Sequence, residues 1–217
     1  MDATSENALH FLPQSLTTRL HEVEEIQNRI KESNKEANRC YIDYTMEQVN
    51  VGNPVDTKFE KIDSGEISDY LKDKLKGKIL DVGSGSNKKL DYLGLDGQIT
   101  YLDLSSPPNS NAVLADAKKL PFKNGSFESI YCSLVIYDQT QFDKDVLSEM
   151  IRVVSSGGNI IIRPTGDISK LLYTIQGLGL DLEHQCNIET FNFISRHAAS
   201  GVDLNHIDIL VSLQATG

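Results

Sequence analysis

The first part of the chain carries apolar residues at helical spacing within a polar background. One face of a predicted helix is marked by residues three or four positions apart, Leu16, Leu20, Val23, Ile26 and Ile30. The pattern fades in the polar run 31–39, and a second stretch, 41–51, precedes the helix-breaking residues 52–54. We expect a helical extension over residues 1–60, which either packs on the main domain or forms a lid over a substrate pocket.

From about residue 67 onward, short apolar or β-branched runs alternate with helical stretches. The runs that predict strands are Lys78–Val82, Gln98–Asp103, Ala112–Ala115, Phe127–Cys132 and Asn159–Arg163. This alternation is typical of βαβ units whose strands form a parallel sheet. The pattern therefore predicts a doubly wound α/β domain over residues 61–217.

Two further features complete the predicted domain. Apolar residues at helical spacing predict a helix over Asp143–Val154, which the pair Gly157 and Gly158 would end. Strand-like runs over Glu189–Ser195 and His206–Leu213, joined by turn-forming residues, predict an antiparallel hairpin at the end of the sheet.

The composition narrows the class of protein. Hydrophobic residues make up 39% and charged residues 24% of the chain, which is ordinary for a folded globular domain. With 31 acidic and 21 basic residues, the formal charge is -10. This charge disfavours a phosphate backbone as a partner, so we expect no nucleic-acid partner.

Cysteine usage and hydropathy give expectations about location. Cys40, Cys132 and Cys186 lie far apart with no CxxC pattern, which indicates neither a zinc site nor a disulfide framework. No apolar run reaches the roughly 18 residues that span a membrane, and the first residues include acids instead of a basic leader. We expect a soluble, cytoplasmic protein with reduced thiols, no metal and no membrane partner.

The strongest local motif is a glycine turn that follows an acid-tipped strand. In the string ILDVGSGS, Asp81 precedes Gly83 and Gly85, which allow a tight turn and close backbone approach to a ligand. A second acid, Asp103, ends the next strand, about 20 residues further along. At that position a carboxylate can accept hydrogen bonds from both hydroxyls of a ribose.

The motif departs from a dinucleotide fingerprint in two ways. A GxGxxG string fails at Lys88, so the turn lacks the glycine that receives a pyrophosphate. The carboxylate of Asp81 beside the turn would repel a pyrophosphate but could help to hold a cation. The motif therefore favours a ligand with a ribose, a positive charge and no phosphate, and S-adenosylmethionine has these three properties.

At residues 78–164 the chain resembles the class I S-adenosylmethionine-dependent methyltransferases of the type 11 group. The matching motifs, in order, are ILDVGSG, YLDLS, ADAKKLPF, SFESIYCSLVI and LSEMIRVVSSGGNIIIRP. The resemblance implies a Rossmann-like, mostly parallel seven-stranded sheet and S-adenosylmethionine as the cofactor. It also implies the cofactor-binding residues Asp81, Gly83, Ser84, Gly85, Asp103, Leu104, Asp116, Ala117, Cys132, Ser133 and Leu134.

The chain departs from this family pattern where a general base would lie. Many relatives carry a histidine pair after the fourth strand, but here Tyr137 and Asp138 stand there. These two residues and His184 are the catalytic candidates, since each could take a proton from an acceptor. Arg163, which ends the fifth strand, could pair with an acidic acceptor.

The resemblance implies transfer of a methyl group, and the first hypothesis is that it goes to an oxygen or nitrogen atom of a small-molecule acceptor, which the acidic charge favours over an RNA acceptor. A protein methyltransferase is the runner-up, because an acidic surface suits a basic substrate tail. A module that binds the cofactor or a partner without catalysis is the third reading, and fold alone does not decide among the three. The amphipathic N-terminal helix leaves a homodimer open.

Overall fold

The computed structural model describes residues 12–50, 59–61, 65–84, 90–95, 97–104, 112–133, 144–164, 168–197 and 203–215. Among these residues no helix combines the length and the apolar character that crossing a membrane requires.

The N-terminal helix, α1, is continuous over Gln14–Asn50 and contains 37 residues. Its first turns bury Leu16, Leu20 and Val23, three of the five apolar residues that predicted it. The polar run 31–39 does not end the helix, because most of its residues are good helix formers and the helix contains neither glycine nor proline. The two stretches seen in the sequence pattern thus form one helix.

The other elements are shorter. The remaining helices of the described residues are α2 (Gly65–Lys74), α3 (Lys144–Val153), α4 (Ile168–Gln176) and α5 (Leu182–Gln185), and a 3-10 turn covers Asp91–Leu93. The described strands are β1 (Phe59–Lys61), β2 (Lys78–Val82), β3 (Gln98–Asp103), β4 (Ala112–Leu114), β5 (Phe127–Ser133), β6 (Val154–Arg163), β7 (Cys186–His197) and β8 (Asp203–Gln214). The bounds of β2 and β3 coincide with the predicted ones.

The strands form one mixed sheet in the order β1-β7-β8-β6-β5-β2-β3-β4. Strand β2 pairs in parallel with both β3 and β5, and the parallel pairing continues to β4 on one side and β6 on the other. Strand β8 pairs antiparallel with β6. The predicted α/β fold with an antiparallel hairpin at the end is confirmed, and the short strand β1 extends it by pairing antiparallel with β7.

The junction between α3 and β6 corrects one prediction. Helix α3 ends at Val153 and β6 begins at Val154, so Gly157 and Gly158 lie within the strand and do not end the helix. A Cβ atom on Gly158 would lie 2.6 Å from the carbonyl oxygen of Glu128. Glycine is therefore required here by the close approach of two backbones.

The core lies between the sheet and the helices that cover it. Strands β2 and β6 bury the apolar side chains of Ile79, Leu80, Val82, Ile160, Ile161 and Ile162. Helices α3 and α4 cover the sheet with Val146, Leu147, Met150, Leu171, Leu172 and Ile175, all of which are buried. Because both faces must be covered, the inner strands read as continuous apolar runs in the sequence.

The chain divides into two compact units. The first comprises Met1–Leu20, Ser68–Glu189 and Ile209–Gly217 and contains the parallel strands. The second comprises His21–Ile67 and Thr190–Asp208. The division by a single boundary near residue 60 stays a prediction, and the candidate site described next lies in the first unit.

We expect the substitution Gly158→Ala to destabilise the fold, because the added Cβ would overlap the Glu128 carbonyl. The expected loss in the free energy of unfolding is about 1–3 kcal/mol, measured by equilibrium unfolding in urea. Gly177→Ala is the matched control, since its Cβ would meet the nearest atom at an ordinary 3.4 Å. The control should change stability by less than about 0.5 kcal/mol, and equal losses in both variants would contradict the argument.

Candidate functional site

Residues predicted to bind a cofactor follow four neighbouring strands. Because parallel strands end at the same edge of a sheet, the structure brings these residues to one edge, which we call the carboxyl edge. They are Asp81, Gly83 and Ser84 at the end of β2, Asp103 and Leu104 at β3, Asp116 and Ala117 after β4, and Cys132 and Ser133 at β5.

The pairing of the strands also aligns side chains on one face of the sheet. Val82 pairs with Leu102 and with Cys132, so Gly83 lies between Asp103 and Ser133. Side chains directly opposite each other on paired strands point to the same face. The ends of β3 and β5, with Asp103 and Ser133, therefore lie on either side of the glycine turn.

Gly83 makes the turn that the sequence predicts for it. Its φ angle of 72° lies in the left-handed region, which glycine adopts without steric cost. The backbone N–H of Gly83 donates to the Leu102 carbonyl at 2.7 Å, and that of Ser84 donates to the same carbonyl at 3.1 Å. The turn is thus attached to β3 at the position directly before Asp103.

Asp81 places a negative charge beneath this turn. Its side chain is only 2% exposed. Burial is the main cause that raises the pKa of neighbouring Tyr101. The hydrogen bond that the Tyr101 hydroxyl donates to Asp91, and the negative charges of Asp91 and Asp81, raise this pKa further. A buried carboxylate favours a cationic group nearby, because its field is weakly screened.

Two buried hydroxyl groups at the carboxyl edge indicate whether a polar ligand would fit there. The side chains of Ser84 and Ser133 are 8% and 5% exposed. Among the described residues, neither hydroxyl oxygen has a hydrogen-bond partner. Buried polar groups are nearly always satisfied, so these hydroxyls suit the polar end of a bound ligand. The residues present thus fit a cationic, hydrogen-bonding group such as the amino-acid portion of S-adenosylmethionine.

The side of the site toward β4 combines an acid with apolar surface. Asp103 is partly exposed, and its backbone carbonyl accepts a hydrogen bond from the N–H of Ala115 at 3.1 Å. The side chain of Leu104, directly after it, is 72% exposed, and that of Leu114 is 63% exposed. An acid beside exposed apolar side chains is the combination that a ribose and a nucleobase require.

Asp116 lies in a turn that it closes itself. Its Oδ1 accepts from the N–H of Lys118 at 2.9 Å, and its backbone carbonyl accepts from the N–H of Lys119 at 3.0 Å. Ala117 is buried within the turn, whereas Asp116 is exposed. This geometry fixes the direction of the carboxylate while leaving it accessible to a ligand.

His184 lies at the opposite edge of the sheet, which corrects its prediction as a catalytic residue. Its neighbour Gln185 donates from Nε2 to the carbonyl of Gln214 at 2.9 Å, and Gln214 pairs with Asn159 on β6. Asn159 precedes Arg163, at the carboxyl edge, by about 13 Å along that strand. The imidazole is exposed, and its hydrogen bond to Asp181 at 2.8 Å raises its pKa. A residue at the amino ends of the strands cannot reach a ligand at their carboxyl ends.

Four predicted site residues, Gly85, Leu134, Tyr137 and Asp138, lie outside the described residues. Their assignment to the cofactor or to catalysis stays a prediction. Cys132 is buried, as a pocket-lining or packing residue would be.

An ion pair that the sequence reading missed holds the segment leading from Asp116 to β5. The guanidinium of Arg152 donates from Nε and a terminal nitrogen to the two carboxylate oxygens of Glu149, each at 2.7 Å. Its remaining N–H groups donate to the carbonyls of Leu120 (3.0 Å) and Phe122 (2.8 Å) and to Oδ1 of Asn124 (2.9 Å). The i,i+3 spacing of an acid and an arginine at the end of a helix was the available signal.

Comparison with known proteins agrees with this geometry. Residues 80–162 match the family model described as a methyltransferase domain. The chain is 29% identical over 106 residues to the tRNA (carboxymethyluridine(34)-5-O)-methyltransferase alkbh8 of Xenopus tropicalis. The match covers 45% of this chain but only 17% of that relative.

Solved structures show the same fold at low sequence identity. A methyltransferase of Bacillus halodurans aligns with a TM-score of 0.50 at 15% identity, covering 71% of this chain and 100% of that one. The YcgJ protein of Bacillus subtilis aligns with a TM-score of 0.50 at 11% identity, covering 70% and 97%. The [4+2]-cyclase SpnF also aligns with a TM-score of 0.50, at 13% identity, covering 82% and 94%.

The Glu149–Arg152 ion pair predicts a specific pH dependence of stability. The hydrogen bond from Arg152 is the main cause that holds the pKa of Glu149 below its ordinary value. A lowered pKa in the folded state contributes stability above the unfolded pKa, and this is lost as the pH falls through the folded pKa. The difference in unfolding free energy between wild type and Glu149→Gln should therefore shrink from about pH 7 to about pH 3. Urea unfolding across this range tests it, and a constant difference would contradict it.

Proposed function

We propose that this chain is a class I S-adenosylmethionine-dependent methyltransferase and that it transfers the methyl group to an oxygen or nitrogen atom of a small-molecule acceptor. The observation that carries the proposal is the row of Asp103, Gly83 and Ser133 at the carboxyl edge, above the buried carboxylate of Asp81. Binding a sulfonium nucleoside requires an acid for the ribose, a glycine turn that lets the ligand approach the backbone, and a hydroxyl that can hydrogen-bond the ligand's polar groups.

In this proposal each strand end contacts a different part of the cofactor. Asp103 accepts hydrogen bonds from the ribose, and Asp116 with Ala117 contacts the adenine. Asp81 attracts the cationic methionine end, and the hydroxyls of Ser84 and Ser133 donate to or accept from its polar groups. The short distance between paired strands, about 4.8 Å, lets all of these residues act on one extended ligand.

The protein's contribution to catalysis is then mainly positional. The bound cofactor supplies an activated methyl group, which an in-line displacement transfers. Holding the acceptor atom near attack distance accelerates such a step without a general base. Arg163 pairs with Ser133 across β5 and β6, so an acidic acceptor could bind beside the cofactor's methionine end.

A tRNA acceptor is the second candidate, favoured by the similarity to the alkbh8 methyltransferase. The formal charge of -10 opposes it, because binding a polyanion would require a basic surface. A small acceptor does not impose this cost. We therefore rank a small molecule first and a tRNA second.

We also propose that the protein acts in the cytoplasm. Cys186 forms no disulfide, which suits a reducing compartment. Burial raises the pKa of Cys186 to about 12, so that thiol stays protonated and unreactive at neutral pH.

We expect Asp103→Ala to weaken binding of S-adenosylhomocysteine by about 10- to 100-fold, because hydrogen bonds to a charged acceptor contribute about 1.5–3 kcal/mol. Isothermal titration calorimetry measures the affinity. His184→Ala, at the opposite edge, should bind within about twofold of wild type. Equal affinity in wild type and Asp103→Ala would remove Asp103 from the site, and a wild type that binds no cofactor would refute the proposed function.

The acceptor class can be tested with a cofactor that carries an isotopically labelled methyl group. The protein is incubated in parallel with a deproteinised metabolite extract, with bulk tRNA and with a basic peptide mixture. We expect label in the small-molecule fraction, detected by mass spectrometry, and none with Asp103→Ala. Label in tRNA alone would favour the second candidate, and label in the peptides alone would favour a protein methyltransferase.

A further inference from the structure

Residues 115–126 connect β4 to β5 without a helix or a strand of their own. A connection of this length is ordinarily mobile unless it is tied down. The connection begins with Asp116 and Ala117, the residues proposed to contact the adenine. The geometry of the adenine contact therefore depends on whatever holds this connection in place.

The turn at Asp116 is continuous with a second fixed point. Two hydrogen bonds close the turn from Asp116 to Lys119. The next residue, Leu120, is 4% exposed. Its N–H donates to Oε2 of Glu149 at 2.7 Å, and its carbonyl accepts from Arg152 at 3.0 Å. Both backbone groups of Leu120 are thus held by one ion pair on α3.

Arg152 holds the rest of the connection as well. Each of its five N–H groups has an acceptor, namely the two carboxylate oxygens of Glu149, the carbonyls of Leu120 and Phe122, and the side chain of Asn124. Its own backbone carbonyl accepts from the N–H of Gly125 at 3.1 Å. A planar guanidinium provides these donors in a fixed fork, which a lysine ammonium cannot reproduce.

We propose that Arg152 and Glu149 are positioning residues for the adenine end of the cofactor, acting through Leu120 on the turn at Asp116. Neither residue contacts the cofactor. The pair sets where the Asp116 carboxylate stands and so determines how strongly an adenine is preferred over a base that lacks its amino group. The inference rests on the proposed function, since it assumes that Asp116 contacts the adenine.

The test compares two ligands that differ at the base, S-adenosylhomocysteine and S-inosylhomocysteine. In wild type we expect the adenine ligand to bind about tenfold more tightly, because the inosine base lacks the amino donor that Asp116 accepts. In Arg152→Lys, which keeps the charge but loses the fork, this ratio should fall to about twofold or less. Glu149→Gln should lower the ratio in the same direction.

A matched control separates positioning from loss of stability. Ser129 is 1% exposed and lies within β5, outside the connection. Its hydroxyl accepts from the N–H of Lys76, in the segment before β2, at 2.9 Å. Ser129→Ala should lower the free energy of unfolding but leave the ligand ratio at the wild-type value. Titrations are made well below the unfolding temperature of every variant, so that each affinity refers to folded protein.

Three outcomes decide the matter. A ratio that falls in Arg152→Lys and Glu149→Gln but not in Ser129→Ala supports the inference. An unchanged ratio in Arg152→Lys, with stability lowered as in Ser129→Ala, overturns it and leaves the proposed function intact. A wild type that binds neither ligand overturns both. The maximal rate at saturating cofactor should change less than the KM for the cofactor, since the pair acts on binding and not on the reacting atoms.

Discussion

The parallel pairing of β2 with both β3 and β5 is the constraint on which the site depends. Parallel pairing brings the strand ends to one edge, so residues far apart in sequence, such as Gly83, Asp103 and Ser133, become neighbours. The register matters as much as the direction. A shift of β3 by one residue would turn Asp103 to the other face of the sheet, away from the glycine turn.

Charge and burial at this edge act together. The chain is acidic overall, but the carboxylate that matters most, Asp81, is buried beneath the turn, where water screens its field weakly. Asp103 and Asp116 remain accessible and can accept hydrogen bonds. In the proposed site the same residue type thus serves two purposes, electrostatic attraction of a cation and hydrogen bonding to neutral donors, and burial decides which of the two applies.

The inner strands could be predicted from the sequence because they are buried on both faces. The apolar runs of β2 and β3 end at polar residues, so their bounds and their site residues follow directly. Gly158 was misread as a helix stop because its reason is the approach of Glu128 from another strand. His184 was misassigned because only the pairing of Gln214 with Asn159 reveals the edge at which β7 begins. Both errors concern contacts between segments that are distant in sequence.

The two halves of the site differ in how strongly the fold determines them. Strands β2, β3 and β4 end in the groups proposed to bind the cofactor, and the positions of these strand ends follow from strand pairing alone. The acceptor half draws on β6 and on segments that strand pairing does not constrain. SpnF shares the fold and is named a [4+2]-cyclase, so one sheet supports different reactions. The identity of the acceptor must therefore be sought in side chains such as Arg163, because the sheet positions the residues proposed to bind the cofactor but does not select the group that receives its methyl group.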